Sequence, residues 1–122
     1  LGLEAFRKAI QVAIDHARAA EDFIRRSTHL EMLGPSSLGI VCFRFRDPEL
    51  PQGPEELESL NLAIQEEIVH SGVAMMSSTR LRGLFSLRLS ILNYRSTWEA
   101  VQETLETVIG IGQRRVAEGE VS

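Results

Sequence analysis

One arginine lies in the middle of an apolar stretch of the sequence. Arg88 is flanked by Leu87 and Leu89, and the next residue on either side is a serine, Ser86 or Ser90. A charge that is buried without a partner is costly, so Arg88 is expected to face water, another protein surface or an anionic ligand. A guanidinium group can hold a carboxylate through two hydrogen bonds. The spacing leaves both a solvated strand face and a carboxylate-binding residue as interpretations.

The other reactive side chains do not form a catalytic pattern. The three histidines, His16, His29 and His70, fall on separate predicted elements without metal-ligand spacing. Cys42, the only cysteine, lies in an apolar run and is expected to be a buried, unreactive thiol. The sequence has no glycine-rich phosphate loop and no serine in a nucleophile-elbow motif. Taken alone, it therefore predicts no catalytic residue and no ligand for a metal or cofactor.

The basic residues are strongly skewed, with twelve arginines and one lysine, Lys8. Arg44, Arg46, Arg80 and Arg82 fall at predicted strand ends and in a turn, where solvated charges discourage stray strand pairing. A shared binding role for these four is the alternative. The net charge of −4 argues against non-specific nucleic-acid binding, which needs a basic face. No apolar run approaches the roughly 18 residues of a membrane-spanning helix. Nucleic acids and membranes are therefore not expected partners.

Helical spacing of apolar residues predicts three helices. The first covers residues 3–26, and its apolar stripe comprises Phe6, Ile10, Ala13, Ala17, Ala20 and Ile24. The second begins near Pro54, since proline is favourable in a first helical turn. The third is predicted to follow a capping box of Ser96 and Glu99 and to give way to a polar tail from Gln113 onward.

Four segments predict β-strands. Residues 30–33, 38–46, 73–79 and 84–91 are runs bounded by turn-forming residues, several of them rich in branched or aromatic side chains. Residues 80–83 are short enough to join the last two strands as a hairpin. Together the elements predict a single α+β domain, with a small, mostly antiparallel sheet and helices packed on one face.

Three stretches occur in a characteristic order: GIVCFRFRD at residues 39–47, SSTRLRG at 77–83 and FSLRLSILN at 85–93. A helix separates the first two, and an amphipathic helix follows the third. As an ordered set they resemble the C-terminal region of the group II pyridoxal-phosphate decarboxylases, which include aromatic-amino-acid, histidine and glutamate decarboxylases. GLEAFRKAI at residues 2–10 resembles the helix that enters this region.

This resemblance implies a domain organisation. Residues 1–122 would be the single C-terminal small domain of a longer fold-type I enzyme. Residues 1–26 would form the helix that enters the domain, and residues 113–122 would be its polar tail.

The resemblance also implies how the chemistry is divided. In such enzymes a lysine of the large domain holds pyridoxal phosphate as a Schiff base. Lys8 matches no cofactor-lysine motif, so this chain alone is expected to bind no cofactor and to be inactive. Arg88 matches a small-domain arginine that faces the active site, where it grips the substrate carboxylate or pairs with a large-domain acid. The implied partners are the large domain, an amino-acid substrate and the second subunit of a homodimer. The single cysteine separately fits a reducing compartment, so a cytoplasmic location is expected.

Two other functions are alternatives. The first is a stand-alone module with a ferredoxin-like layout that binds a small anionic metabolite through Arg88. The second is an RNA-binding sheet in which Phe43 and Phe45 stack on bases. The acidic charge argues against RNA, and so does the face that both phenylalanines share with Val41, which is expected to be core. A complete gene of about this length would favour the module, and a longer gene with a cofactor-lysine domain upstream would favour the decarboxylase.

Overall fold

The described part of the chain is an α+β arrangement of three helices and four strands. The computed structural model describes residues 2–49, 52–73, 75–91 and 97–119. In chain order the elements are α1 (Leu3–Arg26), β1 (Leu30–Met32), β2 (Ile40–Phe45), α2 (Pro54–His70), β3 (Met76–Leu81), β4 (Leu84–Ser90) and α3 (Trp98–Ala117). The strands form one sheet in the order β1-β2-β4-β3, and every neighbouring pair is antiparallel. The predicted fold class is confirmed.

The hydrophobic core lies between one face of the sheet and the helices. Val41, Phe43 and Phe45 of β2 and Leu87 and Leu89 of β4 are fully buried, because alternate residues of a strand point to the same face. Apolar side chains of all three helices pack in the same cluster. The helices thus cover one face of the sheet, as the sequence predicts, and the intervening strand residues lie on the open face.

A buried asparagine joins α2 to the end of β2. The side-chain oxygen of Asn61 accepts the backbone N–H of Phe45 at 2.8 Å. Its amide nitrogen donates to the carbonyl oxygens of Phe45 at 3.0 Å and Leu57 at 2.8 Å. The pairing of β2 with β4 ends at Phe43 and Leu87, so Asn61 supplies the hydrogen bonds that β4 no longer offers. Nothing in the local sequence pattern indicated this contact.

The last helix departs from the boundaries expected from the sequence. Thr97 is its N-cap, since the Thr97 side chain accepts the backbone N–H three residues later at 3.1 Å. Ser96 of the predicted capping box lies outside the described residues. The helix continues to Ala117, so it includes Gln113 and the first part of the expected polar tail. Val116 is buried and joins the core cluster, and this packing extends the helix.

The predicted hairpin between β3 and β4 is confirmed as a two-residue turn. Leu81 pairs with Leu84, and the two residues between them, Arg82 and Gly83, have positive φ values of 53° and 83°. Such a backbone matches the twist of the flanking strands, and glycine adopts it at little cost. Arg82 is exposed at this turn, in agreement with its interpretation as a solvated turn charge.

The first helix has the predicted bounds, but only four of the six residues of its apolar stripe are buried. These are Ala13, Ala17, Ala20 and Ile24. Phe6 and Ile10 continue the stripe and are exposed. No residue from Gly2 to Val12 is buried. The N-terminal part of α1 therefore extends past the body of the domain.

Candidate functional site on the open face of the sheet

Arg88 lies at the centre of the open face. Its strand, β4, is an inner strand between β2 and β3, and Arg88 is directly opposite Cys42 on β2 and Ser77 on β3. Leu87 and Leu89 are fully buried in the core, so the alternation of β4 directs Arg88 away from the helices. The side chain is half-buried. This is the orientation that the alternating sequence predicts.

The guanidinium group of Arg88 has no charge partner within the described residues. It forms neither an ion pair nor a side-chain hydrogen bond there. Its cross-strand neighbours, Cys42 and Ser77, are not acidic residues. A half-buried charge without a counter-ion is unfavourable, and an anionic partner would relieve it. The centre of the open face is therefore suited to an anion.

Three of the four other arginines considered in the sequence are paired with glutamates. Arg44 Nε lies 2.6 Å from Glu31 Oε1, and Arg46 Nη1 lies 3.6 Å from Glu31 Oε2. The two Nη atoms of Arg80 donate to Glu58 Oε1 at 3.0 Å and Oε2 at 2.7 Å, which holds the pKa of Glu58 below its usual value. These charges are compensated inside the domain, so the geometry gives no support to a shared binding role.

Small side chains are the immediate neighbours of Arg88 along its strand. Ser86 and Ser90 lie two residues away on the same face. Ser86 is fully buried, and its hydroxyl donates to the carbonyl oxygen of Leu87 at 2.8 Å. Because the Ser86 hydroxyl already donates its proton to the backbone, it is not available as a donor to a ligand bound by Arg88. Neither serine places a charge beside the guanidinium of Arg88.

The cysteine does not lie where the sequence predicts it. Cys42 is a free, half-buried thiol on the open face, opposite Arg88. Val41 and Phe43 take the core positions on either side of it. The expectation of a buried core thiol is wrong because β2 alternates between the two faces even where its sequence is uniformly apolar.

The histidines take no part in this site. His29 stacks on Phe45 with 5.8 Å between the ring centroids. His70 Nδ1 lies 2.9 Å from the carbonyl oxygen of Glu66, and His16 lies on α1. In residues 2–49, 52–73, 75–91 and 97–119, no three histidine, cysteine or acidic side chains are grouped so that they could hold a metal ion. Nor is any helix in those ranges long and apolar enough to cross a membrane.

The open face offers no amine for covalent attachment of a cofactor. Lys8, the only lysine of the sequence, is exposed near the start of α1, and α1 packs on the other face of the sheet. The residues of this chain therefore do not fit a cofactor that is held through a lysine. What the arrangement can supply chemically is an anion-binding group, Arg88, presented on a rigid strand.

Several curated proteins similar to this chain are amino-acid decarboxylases. The chain is 32% identical over 112 residues to an aromatic-L-amino-acid decarboxylase of Bacillus atrophaeus, a match that covers 92% of this chain and 23% of that protein. It is 26% identical over 108 residues to an L-2,4-diaminobutyrate decarboxylase of Rhizobium meliloti, covering 88% of this chain and 21% of that protein. No protein-family model matches the chain. These relatives confirm the resemblance to decarboxylases that the sequence motifs indicate.

A solved structure shows the same fold within a longer chain. The crystal structure of Oryza sativa TDC with PLP and tryptamine matches with a TM-score of 0.83 at 22% identity, over 93% of this chain and 24% of that chain. The present chain thus spans about a quarter of the length of the relatives it matches.

Proposed function

We propose that this chain is the C-terminal small domain of a pyridoxal-phosphate-dependent amino-acid decarboxylase, in which it supports the large cofactor domain and completes the active site. The observation that carries the proposal is Arg88 at the centre of the open face, where it has no counter-ion among the described residues. The similarity to decarboxylases over most of the chain supports the reaction class. In this proposal residues 1–122 form one domain of a homodimeric cytoplasmic enzyme, and residues 1–26 form the helix that enters it.

The proposed role of Arg88 is to hold the carboxylate of the amino-acid substrate. Its planar fork can donate two parallel hydrogen bonds to a carboxylate. When a second domain covers the open face and excludes water, the attraction between the two charges becomes stronger. The buried side chains of Leu87 and Leu89 fix the strand on which Arg88 is mounted, so the base of its side chain is held on the open face before the substrate arrives.

The cofactor chemistry belongs to another part of the proposed enzyme. Pyridoxal phosphate supplies the electron sink for the loss of carbon dioxide. The residues of this chain bind and orient the substrate and help to exclude water from the open face. The chain on its own is therefore expected to be inactive.

The test begins with the full-length gene product and this chain, each mixed with pyridoxal phosphate. The full-length protein is expected to show the visible absorbance band of lysine-bound cofactor and to release carbon dioxide from an amino acid, and this chain is expected to show neither. A gene that ends with this chain, or a long form that binds no cofactor, overturns the proposal. The stand-alone anion-binding module would then take its place, and titration of the chain with small carboxylates would test it.

The role of Arg88 is tested by Arg88→Gln in the full-length enzyme. Charge-assisted hydrogen bonds contribute about 1.5–3 kcal/mol, so kcat/KM is expected to fall roughly ten- to a hundredfold, mainly through a higher KM if substrate and transition state are held alike. Arg82→Gln, in the exposed hairpin turn, is the matched control and should leave both constants unchanged. A lower melting temperature with an unchanged KM would instead assign Arg88 to a contact with a large-domain acid.

A further inference from the structure

The N-terminal part of α1 projects from the folded body of the domain. Residues 3–12, called the α1 arm here, contain no buried residue, and the helix joins the core only from Ala13 onward. Three large apolar side chains of the arm are exposed: Leu3 by 64%, Phe6 by 62% and Ile10 by 39%. Steps of three and four residues place them on one side of the helix, in line with Ala13.

One side of the α1 arm is apolar and suited to packing, yet it is exposed in this domain. The arm continues the packed part of the 24-residue helix α1, so it needs no separate helix nucleus, but none of its own apolar side chains is buried. Its other side is polar and exposed, with Glu4, Lys8 and Gln11. Large apolar side chains confined to one side of a projecting helix mark an interaction site rather than a solvated surface.

We propose that the α1 arm docks through Leu3, Phe6 and Ile10 into an apolar groove on the part of the parent polypeptide that lies outside this chain. This inference rests on the proposed function. The Bacillus relative is matched over only 23% of its length, so about three quarters of such a protein is available as a covalently linked partner. Linkage gives that partner a far higher effective concentration than a separate copy of the domain has.

The consequence of docking is a fixed orientation of the open face. The helix α1 is continuous from Leu3 to Arg26, and its second half is packed in the core of the domain. A partner that holds the arm therefore also holds the sheet, and Arg88 with it. The arm acts as a rigid joint between the two parts of the enzyme.

Hydrogen exchange of the full-length holoenzyme tests the docking. The variants are Phe6→Gln, on the apolar side of the arm, and the matched control Lys8→Gln, on its polar side. Glutamine is a good helix former, so neither change disfavours the helix itself. We expect the backbone amides of residues 6–12 to exchange about tenfold or more faster in Phe6→Gln than in the wild type, because a large side chain loses its burial. Lys8→Gln is expected to exchange like the wild type.

Two results overturn the docking. One is equal exchange of residues 6–12 in the wild type and Phe6→Gln. The other is protection that disappears when the enzyme is diluted until its subunits separate, which would make a second copy the occupant of the apolar side. The absorbance of bound pyridoxal phosphate is recorded on the same samples. A protected arm in a protein without cofactor would contradict the proposed function and leave the docking intact.

Discussion

Gly112 lies where α3 passes over the end of β2, against the ring of Phe45. A Cβ atom added at Gly112 would lie 2.7 Å from Cγ of Phe45 and would also overlap Cδ2 and Cε2 of that ring. Carbon atoms in favourable contact are about 3.5–4.0 Å apart. We therefore expect Gly112→Ala to destabilise the domain, although alanine is the better helix former.

The size of the effect follows from how firmly Phe45 is held. The residue is fully buried, Asn61 binds its backbone N–H and carbonyl, and its ring stacks on His29. Overpacking a well-packed core costs about 1–3 kcal/mol, and an overlap with three ring atoms places this case near the upper end. Alanine in place of a helical glycine contributes about 1 kcal/mol of stability. The two estimates leave a net loss of about 2 kcal/mol.

Urea unfolding of the chain, followed by circular dichroism, measures this loss. Gly110→Ala is the matched control, because Gly110 is exposed on the same helix and nothing lies within 4 Å of the added Cβ. It should gain up to about 1 kcal/mol. In a Phe45→Leu background the cost of Gly112→Ala should shrink, since the two positions are coupled through the ring. Equal effects of the two glycine substitutions would refute the packing of Phe45 against α3.

Three further outcomes are expected. Asn61→Leu leaves the N–H and carbonyl of Phe45 unpaired and should lower the urea-unfolding free energy by about 2–3 kcal/mol; a loss below about 0.5 kcal/mol would contradict this. A hydrogen bond from Arg114 lowers the pKa of Glu67 from 4.5, so wild type should exceed Glu67→Gln in stability above pH 4.5. The difference in unfolding free energy should be less than about 1 kcal/mol, because the pair is exposed. It should disappear as the pH falls through the lowered pKa of Glu67 in the folded protein, which unfolding curves recorded at several pH values would show. Thr97→Ala should cost about 1 kcal/mol in thermal unfolding, and an unchanged Tm would mean that Thr97 is not the cap of α3.

Periodic features of the sequence were enough to predict the elements and the fold class. The bounds of α1 follow from its apolar stripe, and the alternation around Arg88 predicts a strand with one polar face. The start of α3 was harder because Ser96 and Thr97 are adjacent and both are of a residue type that caps helices. Which of them is the cap depends on backbone angles that the local pattern does not specify.

Features that depend on tertiary neighbours were not predictable. In the sequence, Asn61 looks like any other polar residue of a helix. Only the folded structure shows that it lies beside the end of β2 and hydrogen-bonds to the backbone of Phe45. The apolar run around Cys42 conceals the alternation that puts this residue on the open face. The same limit applies to Arg88, because the sequence does not say which residues lie across the strands. Only the register shows that its neighbours are Cys42 and Ser77 rather than acids.

The core of the domain determines where Arg88 points, but it does not determine what Arg88 binds. A slip of one residue between β2 and β4 would turn Leu87 and Leu89 outward and Arg88 into the core. That alternative would expose two fully buried leucines and bury an uncompensated charge, so the observed register is strongly favoured. The other strand arginines find glutamates within the domain. Arg88 does not within the described residues, so the packing of that part of the domain fixes the position of this arginine without specifying its counter-ion.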